Sequence, residues 1–260
     1  MQVSRSLWAL PGAAVAWFVM RPRRRPRLDR VPRTAAFRTH RSAAAAWVDQ
    51  QFRLIESAAP WLERAGVAVE DGCWLSRDIH GWVVSHSDRW HISCTRTVTA
   101  AYGARGDPAS QIQGLAAAVG TAGWARYEDR IPDPVARLAE LVLDPFQKHG
   151  TGHATADWRP AGSAEPPPGW RPPAPPLAAK PPLSLIIHVE RTRPALPGLA
   201  PDLPPLLRGL QHLGPPAVTP FYQPVELSEE DTTTLVKRAS ATAHHVFVMS
   251  IRLTYLERSR

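Results

Sequence analysis

Residues 90–102 and 246–256, far apart in the chain, each alternate apolar and polar side chains with a period of two. In the first run Trp90, Ile92, Cys94, Val98, Ala100 and Tyr102 share one face, and His91, Ser93, Thr95, Thr97 and Thr99 the other. In the second, Phe247, Met249, Ile251, Leu253 and Tyr255 oppose Ser250, Arg252 and Thr254. This is the period of a strand with one buried face. A strand hides that face only against another layer, so the chain must close a sheet whose members come from distant parts of the sequence. A third run, Leu183, Leu185, Ile187 and Val189, alternates with Ser184, Ile186, His188 and Glu190 and joins the same sheet.

Helix signals lie between the strands. Trp47, Phe52, Ile55 and Ala59 approximate a helical stripe over 42–65, with Pro60 as a kink and Gly66 as the stop. Gly103 to Gly106 turns the chain, and Asp107 caps a helix opened by Pro108. Ile112, Leu115, Ala116 and Val119 form its apolar stripe, Gly123 ends it, and 124–128 returns as a strand. Asp133 and Pro134 open another helix, through Val135, Leu138, Val142 and Phe146, that ends near Pro145. Ser228, with Asp231 three residues on, reads as the cap of a last helix carrying Leu235, Val236, Ala239 and Ala243. A short strand at 82–85, a turn at 86–89 and a short helix at 204–213 complete the reading.

The order is strand-helix-strand, a spacer, then strand-helix-strand. The expected class is α+β, a ferredoxin-like split β-α-β sandwich with additional N-terminal and central helices. Right-handed crossovers would put both crossover helices on one face of the sheet. The alternative is two small α+β lobes joined by the spacer. The expected division is an apolar N-terminal anchor or signal-like segment at 1–20 and a basic, Pro-interrupted linker at 21–41. The two halves of the body follow at 42–148 and 183–260, around a Pro-rich linker at 149–182. Ten prolines fall in 160–182, which favours an extended, polyproline-like spacer.

The formal net charge of +8 is not spread over the body. Residues 1–41 hold ten Arg and one acid, Asp29, whereas residues 42–260 hold 21 basic and 22 acidic side chains. Nucleic-acid binding would therefore have to run through the N-terminal arm alone, which makes it the weaker reading. Residues 7–20 carry no charge, and Arg21, Arg23, Arg24, Arg25 and Arg27 follow at once. An apolar run with a flanking Arg block predicts membrane association through residues 1–27, those five arginines touching anionic headgroups. The positive-inside rule puts the body on the cytoplasmic side. Export is the alternative, since Ala14-Val-Ala16 fits a small-x-small cleavage site.

Chemistry is sparse. The chain lacks a nucleophile elbow and a P-loop, and the ten His follow no zinc spacing, so neither a catalytic residue, a cofactor nor a metal is expected. Arg96 breaks an otherwise apolar strand face. Its expected state is a local ion pair or an edge position, with anion binding as the functional reading. His91 and Arg96 are the candidate ligand-binding residues. Cys73 and Cys94 can form a disulfide if the body is exported, and in a reducing compartment are small apolar residues. The expected function is that of a non-catalytic binding or interaction module with a protein partner. The alternative is a small hydrolase or metal-dependent enzyme using His residues near 82–102.

Overall fold

A computed structural model describes residues 26–77, 90–126, 132–159, 183–192 and 222–259. The expected anchor over 1–20, the segments at 82–89 and 204–213 and most of the Pro-rich linker lie outside the described residues. Among those described, no helix is long and apolar enough to cross a membrane.

The long alternating runs lie side by side. Strand β2 (Trp90–Ala104) pairs with β7 (His245–Ser259), antiparallel, from His91↔Ser259 to Ala104↔His245. A bulge at Cys94/Thr95 shifts this register, so Cys94 faces Leu256 while Arg96 faces Leu253. On the other side of β2 lies β1 (Glu63–Arg77), paired from Glu63↔Gly103 to Arg77↔Trp90. The remaining strands are β3 (Trp124–Ala125), β4 (Thr151–Trp158), β5 (Leu183–Arg191) and β6 (Tyr222–Leu227). All pairings are antiparallel, and the seven strands run in the order β3-β4-β5-β7-β2-β1-β6. One mixed helix-and-strand body built on one sheet is an α+β fold.

Three helices pack on one face: α1 (Ala35–Ala58), α2 (Pro108–Thr121) and α3 (Pro134–His149). The core between them and the sheet contains Phe37, Val48, Ile55, Leu115, Val119, Leu138, Phe146, Phe247, Met249 and Ile251, all at most 3% exposed. Trp47 of α1 stacks edge-on against Trp158 at 5.4 Å between ring centroids and lies 6.1 Å from Trp124. The indole N–H of Trp124 donates to Gln51 Oε1 at 3.0 Å, and that of Trp158 to the Ala122 carbonyl at 3.1 Å, so neither buried donor is left unpaired.

The fourth helix, α4 (Thr232–Ser240), takes the opposite face. Leu235, Val236 and Ala239 meet Ala101, Val246 and Val248, which alternate with the residues of the main core. The expected placement of both crossover helices on one face therefore does not hold: α2 and α4 lie on opposite faces, because Ala101, Val246 and Val248 give the second face an apolar patch of its own.

Several boundaries differ from the sequence reading. Helix α1 begins at Ala35, capped by the Thr34 hydroxyl, which accepts from the Phe37 N–H at 3.2 Å, and it ends before Pro60. Gly66 is no helix stop but lies within β1. Helix α3 continues through Pro145 to His149, where Gly150 closes it at φ +75°. Residues 151–158, expected as linker, form β4. Asp231, not Ser228, caps α4 by accepting from the Thr234 N–H at 2.7 Å. The Ser228 hydroxyl accepts from the Val69 N–H at 3.0 Å, fastening the end of β6 to β1.

Candidate functional site

Among the described residues, two polar clusters, one on each face, bear on the candidate site residues. Beneath α1, the alternation of β1 puts Val67, Val69, Asp71, Cys73 and Leu75 on the core face, opposite Ala100, Val98, Arg96, Cys94 and Ile92 of β2. Asp71 is fully buried and Arg96 is 8% exposed. Arg96 Nη1 donates to Asp71 Oδ2 at 3.2 Å and to Glu226 Oε2 of β6 at 2.8 Å. Arg41 of α1 donates its Nε to Asp71 Oδ2 at 2.8 Å and its Nη2 to Glu226 Oε2. The Tyr255 hydroxyl completes the ring by donating to Asp71 Oδ1 at 2.7 Å.

Four elements therefore share one knot of two cations and two carboxylates. Arg96 holds the Glu226 carboxyl below its ordinary range, chiefly by hydrogen bonding, and Arg41 adds to this. Burial and the bond to Asp71 push the Tyr255 phenol upward, so it remains a donor. Among the described residues, Arg96 Nε has no hydrogen-bond partner. The ion-pair reading of Arg96 describes this geometry: its charge is matched inside the protein. The next rung on the same face is Cys73↔Cys94, and these two residues form a disulfide, both fully buried.

The second site is the other sheet face, beyond the footprint of α4. Thr95 and Thr254 hydroxyls meet at 3.1 Å, and Thr99 and Ser250 at 2.7 Å, forming a lawn of paired hydroxyls across β2 and β7. Toward the β6 edge, the Tyr222 ring lies over Gly72, where any Cβ would come within 2.4 Å of it. Trp74, 39% exposed, packs against that ring at 4.2 Å between centroids, tilted by 42°. Burial of the Tyr222 hydroxyl, helped by the nearby Glu70 and Asp71 charges, pushes its pKa up to about 12. Burial raises the Glu70 carboxyl as well, with Arg252 opposing the shift.

His91 lies at one end of this second face, facing Ser76 of β1 and Ser259 of β7 in register. Arg96 is on the opposite face, so the structure does not bring the two candidate ligand-binding residues together. Of the expected membrane-contacting arginines, Arg27 is exposed and bonds Asp29 at 3.1 Å. Arg21, Arg23, Arg24 and Arg25 lie outside the described residues. On β5, His188 is 4% exposed, neither ring nitrogen is hydrogen-bonded among the described residues, and its Nε2 lies 3.6 Å from Glu190 Oε2. Among the described residues, no three His, Cys, Asp or Glu side chains are placed to hold a metal ion.

Sequence reasoning singled out Arg96 but missed Arg41, Asp71, Glu226, Tyr222 and Trp74. The signal for Asp71 was present: Val67, Val69, Cys73 and Leu75 keep a period of two around it. Gly66 and Gly72, both poor strand residues, obscure that run. No family model, curated protein or solved structure matches the chain.

Proposed function

We propose that this protein is a non-catalytic binding module that engages a protein partner through the second sheet face, and that residues 1–27 tether it to a membrane. The carrying observation is where apolar surface remains. Of the four large hydrophobic side chains that stand exposed among the described residues, Trp74, Ile186 and Leu227 belong to this face, and only Leu54 lies elsewhere, on α1. An exposed Trp packed against a buried Tyr, bordered by hydroxyls and by Glu70 and Arg252, has the make-up of an interface centre with a polar rim. His91 stands at the end of that rim. The ferredoxin-like relation of the two halves belongs to the same proposal. What supports it is that β2 and β7, one from each half and each next to a helix in sequence, are neighbours in the sheet. The apolar run before the Arg block supports the tether.

Site-specific photo-crosslinking in cells tests the face. A photoreactive residue at Trp74 or Leu227 should yield one discrete protein adduct, and the same residue at Leu54 none. Equal labelling at all three positions, or no adduct at Trp74 and Leu227, overturns the reading.

A further inference from the structure

We infer that the folded body resides in an oxidising compartment, where the Cys73–Cys94 disulfide braces the strand pair that carries the buried ion-pair knot. This inference is independent of the proposed interface; it places the body on the exported side, against the positive-inside expectation, and keeps the tether of the proposed function by leaving residues 7–20 uncleaved.

Three observations meet at one rung. The chain has two cysteines in 260 residues, and the β1–β2 register sets them directly opposite each other, Cα to Cα 4.0 Å, on the core face. Neighbouring rungs on that face are filled differently. Val67↔Ala100, Val69↔Val98 and Leu75↔Ile92 are aliphatic, and Asp71↔Arg96 is the ion pair. Small apolar filling is thus available without sulfur, and cysteine occurs only where two can bond. Finally, the adjoining rung holds a fully buried carboxylate whose partners come from β2, β7 and α1. Separation of β1 from β2 there would strip Asp71 of Arg96, and a covalent bond one rung away limits that separation. A reducing cytosol keeps such a pair as thiols, whereas an exported protein meets disulfide donors during folding.

The chemistry balances by exchange. Two cysteine thiols and one donor disulfide, on an oxidoreductase or an oxidised small thiol, become the Cys73–Cys94 disulfide and two donor thiols. The donor S–S bond breaks as the protein S–S bond forms, and both protons end on the donor.

The test is made on the full chain in growing bacteria. Cells are quenched in acid, denatured, and treated with a maleimide-coupled polymer with or without prior reduction. The expected result is no adduct before reduction and two after it. One or two adducts before reduction overturns the inference. A C-terminal alkaline phosphatase fusion supplies the second arm. Activity is expected, and a stable but inactive fusion places the body in the cytosol and overturns it. A Cys73→Ala/Cys94→Ala variant adds a readout where it folds: reductant should lower the melting temperature of the wild type and leave that of the variant unmoved. Equal shifts in both count against the bond.

Discussion

Asp71 is the residue around which the interior is most sensitive to change. It is fully buried, and it is neutralised only because Arg41 and Arg96 arrive from different elements. Removing one partner of a buried pair leaves an uncompensated charge, a cost of about 3 kcal/mol. Arg96→Met should therefore destabilise the protein by about 3 kcal/mol in urea denaturation. Arg41→Met should cost only about 1 kcal/mol, because the Arg41 side chain is 31% exposed and water takes over part of its role. Equal losses would show that burial does not grade the knot. Two carboxylates also give opposite pH behaviour. Glu226 titrates below its ordinary 4.5 in the folded state, so its pairing contributes fully above about pH 4.5 and is lost as the pH falls through the lowered value. Glu226→Gln should flatten the loss of stability on the acid side. Glu70 titrates above 4.5, so its ionisation weakens the fold as the pH rises through the raised value. Glu70→Gln should raise the urea midpoint at neutral pH, and a lowered midpoint would contradict the buried-carboxylate account.

Close approaches between elements are set by glycines, and they differ sharply in tolerance. Gly152 of β4 lies under α3, where a Cβ would fall 2.0 Å from the Val142 carbonyl oxygen. A backbone atom cannot swing away, so Gly152→Ala should destabilise by about 3 kcal/mol, at the upper end of overpacking costs. Gly114, inside α2, meets nothing nearer than Trp61 at 3.8 Å. Gly114→Ala should stabilise by up to about 1 kcal/mol through helix propensity. Thermal melts of the two variants should move in opposite directions. Elements with a clean period or a local cap were legible in the sequence: β2, β5, β7, and the Asp107 and Asp133 caps with Pro at the first helical position. Strands β1, β4 and β6 were not. Gly66 and Gly72 interrupt the first, and β4 follows directly on α3 across Gly150 in a stretch read as linker. The third is a six-residue edge strand containing Pro224, a position where edge strands tolerate the missing N–H.

For the molecule as a whole, the disulfide ties the two strands at the centre of the knot. Its 21-residue separation corresponds to about 3 kcal/mol of loop-closure entropy in the unfolded chain. Reduction should therefore lower global stability by about 3 kcal/mol in denaturant titrations, with α1 and β6 released together because both hang on Asp71 and Arg96. Hydrogen exchange in which α1 stays fully protected after reduction would separate the bond from the knot. By itself, the sequence determined the confinement of positive charge to the N-terminal arm and the two-faced character of the central strands. Both follow from neighbours along the chain, where period and charge are local quantities. Tertiary structure decided which strands adjoin, that α4 would take the face opposite the other helices, and that Arg96 would meet two carboxylates contributed by β1 and β6. Those outcomes depend on register between distant segments, and a one-residue slip would reverse every face.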